Sequence, residues 1–599
     1  MSETIQVYKN IIYACAEAMS PEAIERLLQR ALLEDPDGFE EYLRRFASGA
    51  IPEAERAYEG PKKKRVPSQL TLDKILKTWE KLQVKAQQER GLRALVNKLA
   101  ESDSGQELTT LFTDLDPQIS PDLNFQTAGR LLELSKLLKQ KAQALQEDPG
   151  KFTALDQLGA GLADGIQAAE EVQRSVLTWI YEPQTPRMSF ALPPSPWRSW
   201  SQGLSHPLNR AFFEALDRGE IQNFVGIYGT QLDLKSWVEL SLLLRYTEFT
   251  LLEVFDQQVM SEKATERLAI STFLTIVSIW SELAFHLQSS NPAFSNSAFQ
   301  VALYILRSFA QRSYFPRYGL ILLSLSGGAV GEAIAHLAEP LRETLGSADM
   351  AKIYNLLGFT FRFAGRTEEA KSFLERAITW SREAQDSATE AACTTNLGCI
   401  LQDIGQTREA ITLHERALVL VRMVGDPRGE AYIKAHLGQA LGAVYRYPEA
   451  LELLERSLET AQNLEDPSCM VLALTGLGSV YLEMERPSEA LVHLESSLDL
   501  AQKLGDFRSG AQNLLLMAEV YKALEQYRAS VLRAAQALSL LASLKATGQR
   551  RARGLLTVLQ GKMGEEAFAS LLEELKPELE KSLGRGALER LQELWQEPT

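Results

Sequence analysis

The chain has 599 residues, 45% of them hydrophobic, and a formal charge of −15 at pH 7. That length excludes a single compact core and implies several domains or one long solenoid, while the hydrophobic share suits a folded, soluble protein. The four cysteines, Cys15, Cys393, Cys399 and Cys469, form no C-x-x-C pair, which argues against a disulfide scaffold or a zinc site and fits a reducing compartment.

The N-terminus shows no basic start followed by an apolar core and a cleavage site, so no secretion signal is predicted and a cytoplasmic location is expected. Residues 1–60 read as a small helical unit, either a docking module or an end cap. Ser20-Pro21-Glu22 has the order of a helix start, and Asp35-Pro36-Asp37-Gly38 that of a turn before a short helix over 39–46. Residues 61–182 follow as a basic linker and a long helical hairpin. Residues 61–98 hold 11 Lys/Arg against three acids, a net of +8 in an acidic chain. The candidate basic patch is Lys62, Lys63, Lys64, Arg65, Lys74, Lys77, Lys81 and Lys85. Such a patch suits an anionic partner such as nucleic acid, or is simply a solvated helix face. Thr71 is the expected cap of a helix over 71–100. The hairpin is predicted as Phe125–Gln146 and Phe152–Ile180, split at Asp148-Pro149-Gly150. Gly159, Gly161 and Gly165 either weaken the return helix or permit close packing.

Residues 183–207 are proline-rich and carry Trp197 and Trp200, expected to tie this linker onto its own solenoid. Residues 208–345 read as degenerate helical repeats, with helices over 208–217, 219–230, 233–258, 262–288, 296–313 and 317–326. Gly331-Glu332-Ala333 is a faint echo of the repeats that follow. Leu268–Leu287 is the most apolar stretch, but Glu282 and several hydroxyl residues point to a buried helix and not a membrane span.

Residues 346–545 repeat every 40 residues. Leu-Gly returns at 357–358, 397–398, 437–438 and 477–478, and Glu-Ala at 369–370, 409–410, 449–450 and 489–490. Asp returns at 386, 426, 466 and 506, and a small residue at 377, 417, 457, 497 and 537. A fixed period of this size marks stacked helix pairs. Each Asp suits the N-cap of a helix A, with Pro427 and Pro467 in the first turn. The Leu-Gly glycine lets helix B approach closely, and Thr367 and Thr407 are the expected caps of helix B. The fifth unit departs from the pattern, with Met517-Ala518 in place of Leu-Gly. Residues 546–599 are read as a helical cap.

These columns resemble the tetratricopeptide repeat family, in a long form similar to repeats of kinesin light chains and of bacterial signalling and peptide-sensing proteins. The resemblance implies an all-α solenoid: a right-handed superhelix of helix pairs, here preceded by an N-terminal helical region. It also implies an inner surface lined by the A helices that holds a protein or peptide. On that surface the candidate partner-binding residues are Asn355, Arg362, Asn396, Gln402, His436 and Gln439. For Asn396 and His436 the alternative is that they only satisfy nearby backbone.

No phosphate loop and no His pair at i, i+4 spacing is present. The expected function is therefore a non-enzymatic interaction scaffold without cofactor or metal, with the N-terminal helices as a second docking site. The alternatives are a receptor whose array senses a peptide and repositions the N-terminal helices, or a nucleic-acid-binding protein using residues 61–98. The sequence sets neither the partner's identity nor the oligomeric state.

Overall fold

In the computed structural model the described residues are 3–18, 20–52, 56, 64–102, 106–114, 128–181, 196–257, 262–312, 314–318, 346–544 and 546–596. Their regular structure is helical, and the chain divides into two compact units, Met1–Gly159 and Ala160–Thr599.

In the first unit α1 (Glu3–Glu17), α2 (Pro21–Glu34) and α3 (Pro36–Ala47) enclose a core with the start of α4 (Gln69–Glu101). Ile12, Leu28, Phe39, Leu43, Phe46, Ile75 and Trp79 fill it, with the Phe39 and Trp79 rings edge to face at 4.7 Å. Ser20 caps α2 as expected, its Oγ accepting from Ala23 N at 3.2 Å. The expected turn at 35–38 is shorter than predicted. Asp35 ends α2 and caps α3 through Gly38 N, 3.1 Å, so Pro36, Asp37 and Gly38 are already helical. Ser68, not Thr71, caps α4. Thr71 N donates to Ser68 Oγ at 3.4 Å, which leaves Thr71 inside the first turn.

The hairpin is α6 (Ala128–Ala144) and α7 (Pro149–Tyr181), preceded by the short α5 (Glu107–Asp114). Helix α7 begins earlier than predicted because Asp148 accepts from Lys151 N at 3.2 Å and Pro149 takes the tolerant first position. Residues 125–127 lie outside the described residues. The boundary between the units falls within α7.

In the second unit the later glycines of α7 allow close packing. A Cβ on Gly165 would stand 2.8 Å from Leu242 Cβ, and one on Gly161 2.6 Å from the Lys235 carbonyl. Of the proline-rich linker, residues 183–195 lie outside the described residues. Trp197 and Trp200, on α8 (Trp197–Ser201), are fully buried. Their rings meet edge to face at 5.0 Å, and Trp197 meets Phe213 at 5.5 Å, so this end of the linker is anchored. Then come α9 (Pro207–Arg218), α10 (Ile221–Tyr228), α11 (Leu234–Gln257), α12 (Glu262–Leu287) and α13 (Pro292–Ala310). Ala269–Leu287 is long and apolar enough to cross a membrane, yet 78% of that stretch is buried within the protein. Of the helix expected over 317–326, Arg317 and Tyr318 form a bend; the rest, and the echo at 331–333, lie outside the described residues.

Five helix pairs form the array: α14 (Ser347–Phe363) with α15 (Thr367–Glu383), α16 (Ser387–Asp403) with α17 (Thr407–Val424), α18 (Pro427–Ala443) with α19 (Tyr447–Asn463), α20 (Pro467–Glu483) with α21 (Pro487–Leu504), and α22 (Phe507–Ala523) with α23 (Tyr527–Ser543). Asp386, Asp426, Asp466 and Asp506 cap the A helices, each accepting from the amide three residues on at 2.9 to 3.1 Å. The Leu-Gly glycines sit at the tightest approach. A Cβ on Gly358, Gly438 or Gly478 would lie 2.5 to 2.7 Å from Leu374, Leu454 or Leu494 of the facing B helix.

The expected B-helix caps are not caps. Thr367 and Thr407 are the first helical residues, preceded by Arg366 and Gln406, whose side chains make no cap bond. The Arg366 guanidinium instead pairs with Glu369, a contact that returns as Arg446–Glu449 and Arg486–Glu489. Past the array, α24 (Gln549–Met563), α25 (Glu565–Leu583) and α26 (Ala587–Gln596) continue the core of the last repeats through Leu556, Leu559, Leu572 and Leu575.

Candidate recognition groove

The A helices bring the predicted partner-binding residues onto one run of successive helices. Asn355 is buried on α14, and its Nδ2 donates to the Arg317 carbonyl at 3.2 Å. Asn396, on α16, donates its Nδ2 to Asn355 Oδ1 at 2.9 Å. Gln439, on α18, donates to the Leu472 carbonyl of α20 at 3.2 Å. Gln402 is partly exposed on α16. These side chains bond either to the chain's own backbone or to one another, apart from Gln402.

Sequence reasoning gave no sign that a segment of the same chain would lie here. Arg317 and Tyr318 reach the A helices of the first three repeats. The Arg317 carbonyl meets Asn355 of α14, and Tyr318 Oη donates to the Ala388 carbonyl of α16 at 3.2 Å. The Tyr318 ring stacks on Tyr432 of α18 at 5.8 Å and 19°. Gly429 leaves room for it, since a Cβ there would come within 2.6 Å of the Tyr318 hydroxyl.

Further along the same helices a second group gathers. Arg362 donates through Nε and Nη2 to Asp403 at 2.5 and 3.1 Å. Arg508 of α22, not singled out from the sequence, places its guanidinium over the Phe363 ring of α14. The Thr547 amide donates to the Phe363 carbonyl at 3.2 Å. The end of the first repeat therefore meets the fifth repeat and the turn that follows it.

Beside this group Cys399 Sγ lies 3.4 Å from His436 Nδ1, and the His436 ring stacks on His414 at 5.9 Å. Burial pushes the Cys399 thiol up to about 11 despite the nearby Arg362. Burial, then His414 and two arginines, holds His436 well below the usual imidazole range. Both groups are held neutral. Proton transfer from thiol to ring, the step that would make a nucleophile, is disfavoured on both sides.

The basic patch lies in the first unit. Lys64 pairs with Glu17 at 2.7 Å and Lys85 with Glu25 at 3.5 Å. Lys74, Lys77, Lys81 and Lys85 are exposed along one stripe of α4, and Arg65 is exposed before it. Lys62 and Lys63 lie outside the described residues.

A family model described as tetratricopeptide repeat matches residues 349–422 and 429–503. The array is a tetratricopeptide-repeat array. The matched tetratricopeptide residues span the first four helix pairs; the fifth, with its altered Leu-Gly column, lies beyond them. Among solved structures, BtubC (BKLC) from P. vanneervenii is 19% identical, with 46% of this chain and 92% of that one covered at a TM-score of 0.26. A kinesin light chain with nearly identical TPR-like repeats from Podosopora anserina is 21% identical, covering 32% and 94% at 0.25. A Rap protein complexed with competence and sporulation factor is 14% identical, covering 54% and 98% at 0.34. No curated protein matches the sequence.

Proposed function

We propose that the tetratricopeptide array is a non-catalytic recognition surface that holds an extended peptide or protein segment across its A helices. The observation that carries this reading is the bond from Asn355 Nδ2 to the Arg317 carbonyl, made while Tyr318 reaches α16 and α18. A carboxamide donates to a carbonyl whatever side chain that residue carries, so it reads backbone independently of sequence. The chain's own segment thus occupies the surface in the manner expected of a ligand. A partner takes its place by offering an equivalent carbonyl and an aromatic ring. The neutral Cys399–His436 pair favours binding over chemistry, and the four buried free cysteines favour a reducing, cytoplasmic setting.

A receptor reading also draws on one observation. The first repeat touches the fifth through Phe363, so a ligand that spans them changes how tightly the array closes. Nucleic-acid binding through the α4 stripe remains the third reading. It predicts a steep salt dependence that charge reversal at Lys74, Lys77 and Lys81 removes.

The test is retention of a random decapeptide pool by the full chain and by its Tyr318→Ala and Asn396→Ala variants. The expected result is retention by the wild type, stronger retention by Tyr318→Ala, and loss with Asn396→Ala. A pool that never binds, or binds all three alike, would falsify the reading.

A further inference from the structure

Two arginines stand two residues after a capping Asp, Arg428 in the third repeat and Arg508 in the fifth. Arg428 pairs with Asp466, the cap of the following repeat, at 2.6 Å. The matching position for Arg508, 38 residues on, is Ala546. The Asp column has run out, and Arg508 has no carboxylate from the next unit.

Arg508 turns to the first repeat instead. Its guanidinium covers Phe363 beside Arg362. Among the described residues no hydrogen bond or ion pair reaches it. Asp403 is committed to Arg362 and Asp506 to the amide of Ser509. Both carboxylates help the Arg508 charge at longer range, but burial and the Arg362 charge outweigh them and hold its pKa well below normal. The neighbouring Cys399 and His436 are neutral and offer no counter-charge. Of the two guanidinium groups only Arg362 is paired with a carboxylate, and Arg508 keeps some exposure through which a ligand can arrive.

We propose that Arg508 and Arg362 form a carboxylate-binding site where the fifth repeat meets the first. A guanidinium offers a planar fork that takes a carboxylate through two parallel bonds, and the incoming charge removes the like-charge repulsion between the arginines. The site exists only while the end of α14 and the start of α22 are together, so its ligand also holds the array closed. That the carboxylate belongs to a bound peptide, at its C-terminus or on an Asp or Glu side chain, rests on the groove reading above; the site itself does not.

The experiment titrates glutarate into the full chain at constant ionic strength and follows thermal unfolding. A saturable rise in midpoint is expected for the wild type. Arg508→Met should raise the half-saturating concentration by about tenfold or more, as expected for loss of a charge-assisted fork. Asp403→Asn, which releases Arg362, should lower it. If Arg508→Met does not fold, Arg508→Lys and Asp403→Asn carry the test, with weaker and stronger binding respectively. Equal responses in wild type and variants overturn the site. Inorganic phosphate competing more strongly than glutarate overturns the carboxylate assignment.

The decapeptide pool, prepared with free and with amidated C-termini, separates the two sources. Loss on amidation names the chain terminus; retention of acidic peptides in both forms names side chains. Peptides held equally by wild type and Arg508→Met leave the groove reading standing and end the assignment of the carboxylate to a peptide. A glutarate response without peptide retention does the reverse.

Discussion

His414 occupies a column that Leu374, Leu454 and Leu494 fill in the other repeats. Its ring is fully buried, neither ring nitrogen has a hydrogen-bond partner among the described residues, and a Cβ on Gly398 would come within 2.7 Å of it. Burying unsatisfied polar atoms costs about 1–3 kcal/mol, so His414→Leu should stabilise the array by that order. Acid should act through the same ring. Burial, then Arg362, brings its pKa down to about 3. The unfolded chain binds this proton near pH 6.5 and the folded chain does not until about pH 3, so stability is full above that window and lost as pH falls through it. The slope is at most about 1.4 kcal/mol per pH unit for one histidine. Urea midpoints measured across the window should fall less steeply in His414→Leu. An unchanged slope would mean that His414 is already protonated in the fold. A pair of glycines makes a second residue-scale comparison. Gly438→Ala drives a Cβ to 2.7 Å from Leu454 and should cost about 1–3 kcal/mol, as overpacking does. Gly554 lies within α24 with open space at its Cβ, and Gly554→Ala should stabilise by about 1 kcal/mol. Urea denaturation of the two variants should shift in opposite directions.

At the scale of the helix, Asp466 does two tasks. It caps α20 through Ser468 and Cys469 and takes the Arg428 guanidinium from the repeat before. Asp466→Ala should therefore cost more than the roughly 1 kcal/mol of an ordinary cap, and Asp466→Asn should recover only the cap share. If Asp466→Asn matches wild type in urea, the ion pair adds nothing. The cap column, the Leu-Gly approach and the helix pairs were legible in the sequence because each is fixed by residues a few positions apart and is repeated. The B-helix starts were misread at Thr367 and Thr407 because a threonine suits both the cap and the first turn, and the Arg366–Glu369 pair that takes the flank competes invisibly. Some helix ends were illegible too. Tyr445, Glu485 and Glu525 take the left-handed conformation that Gly365 and Gly405 take in the earlier repeats, held there by the packing of the pairs and not by their own preference.

Over the whole second unit, the contact between repeats one and five was not legible in the sequence. Curvature is the sum of small rotations between neighbours, and no column records it. Thus Arg362, Asn355 and Asn396 could be offered as candidates from their places on the A helices, whereas Arg508 and Tyr318 could not, since each meets residues far from it in the chain. The closure also alters how the array should unfold. In an open stack each repeat touches only its neighbours, so terminal units open most readily. Here the end of α14 has further partners in Arg508 and the Thr547 amide. Amide hydrogen exchange in the last two turns of α14 should then be about as slow as in the central α18. Because α14 also receives support from α13, where Lys352 Nζ donates to the Ala310 carbonyl at 2.9 Å, slow exchange alone does not isolate the closure. Phe363→Ala does, because it removes the ring under Arg508 while leaving the α13 contact intact. In that variant exchange should accelerate in the last turns of α14 and the first turn of α22, with α18 unchanged. Acceleration confined to α14 would show that the two repeats are not coupled in solution.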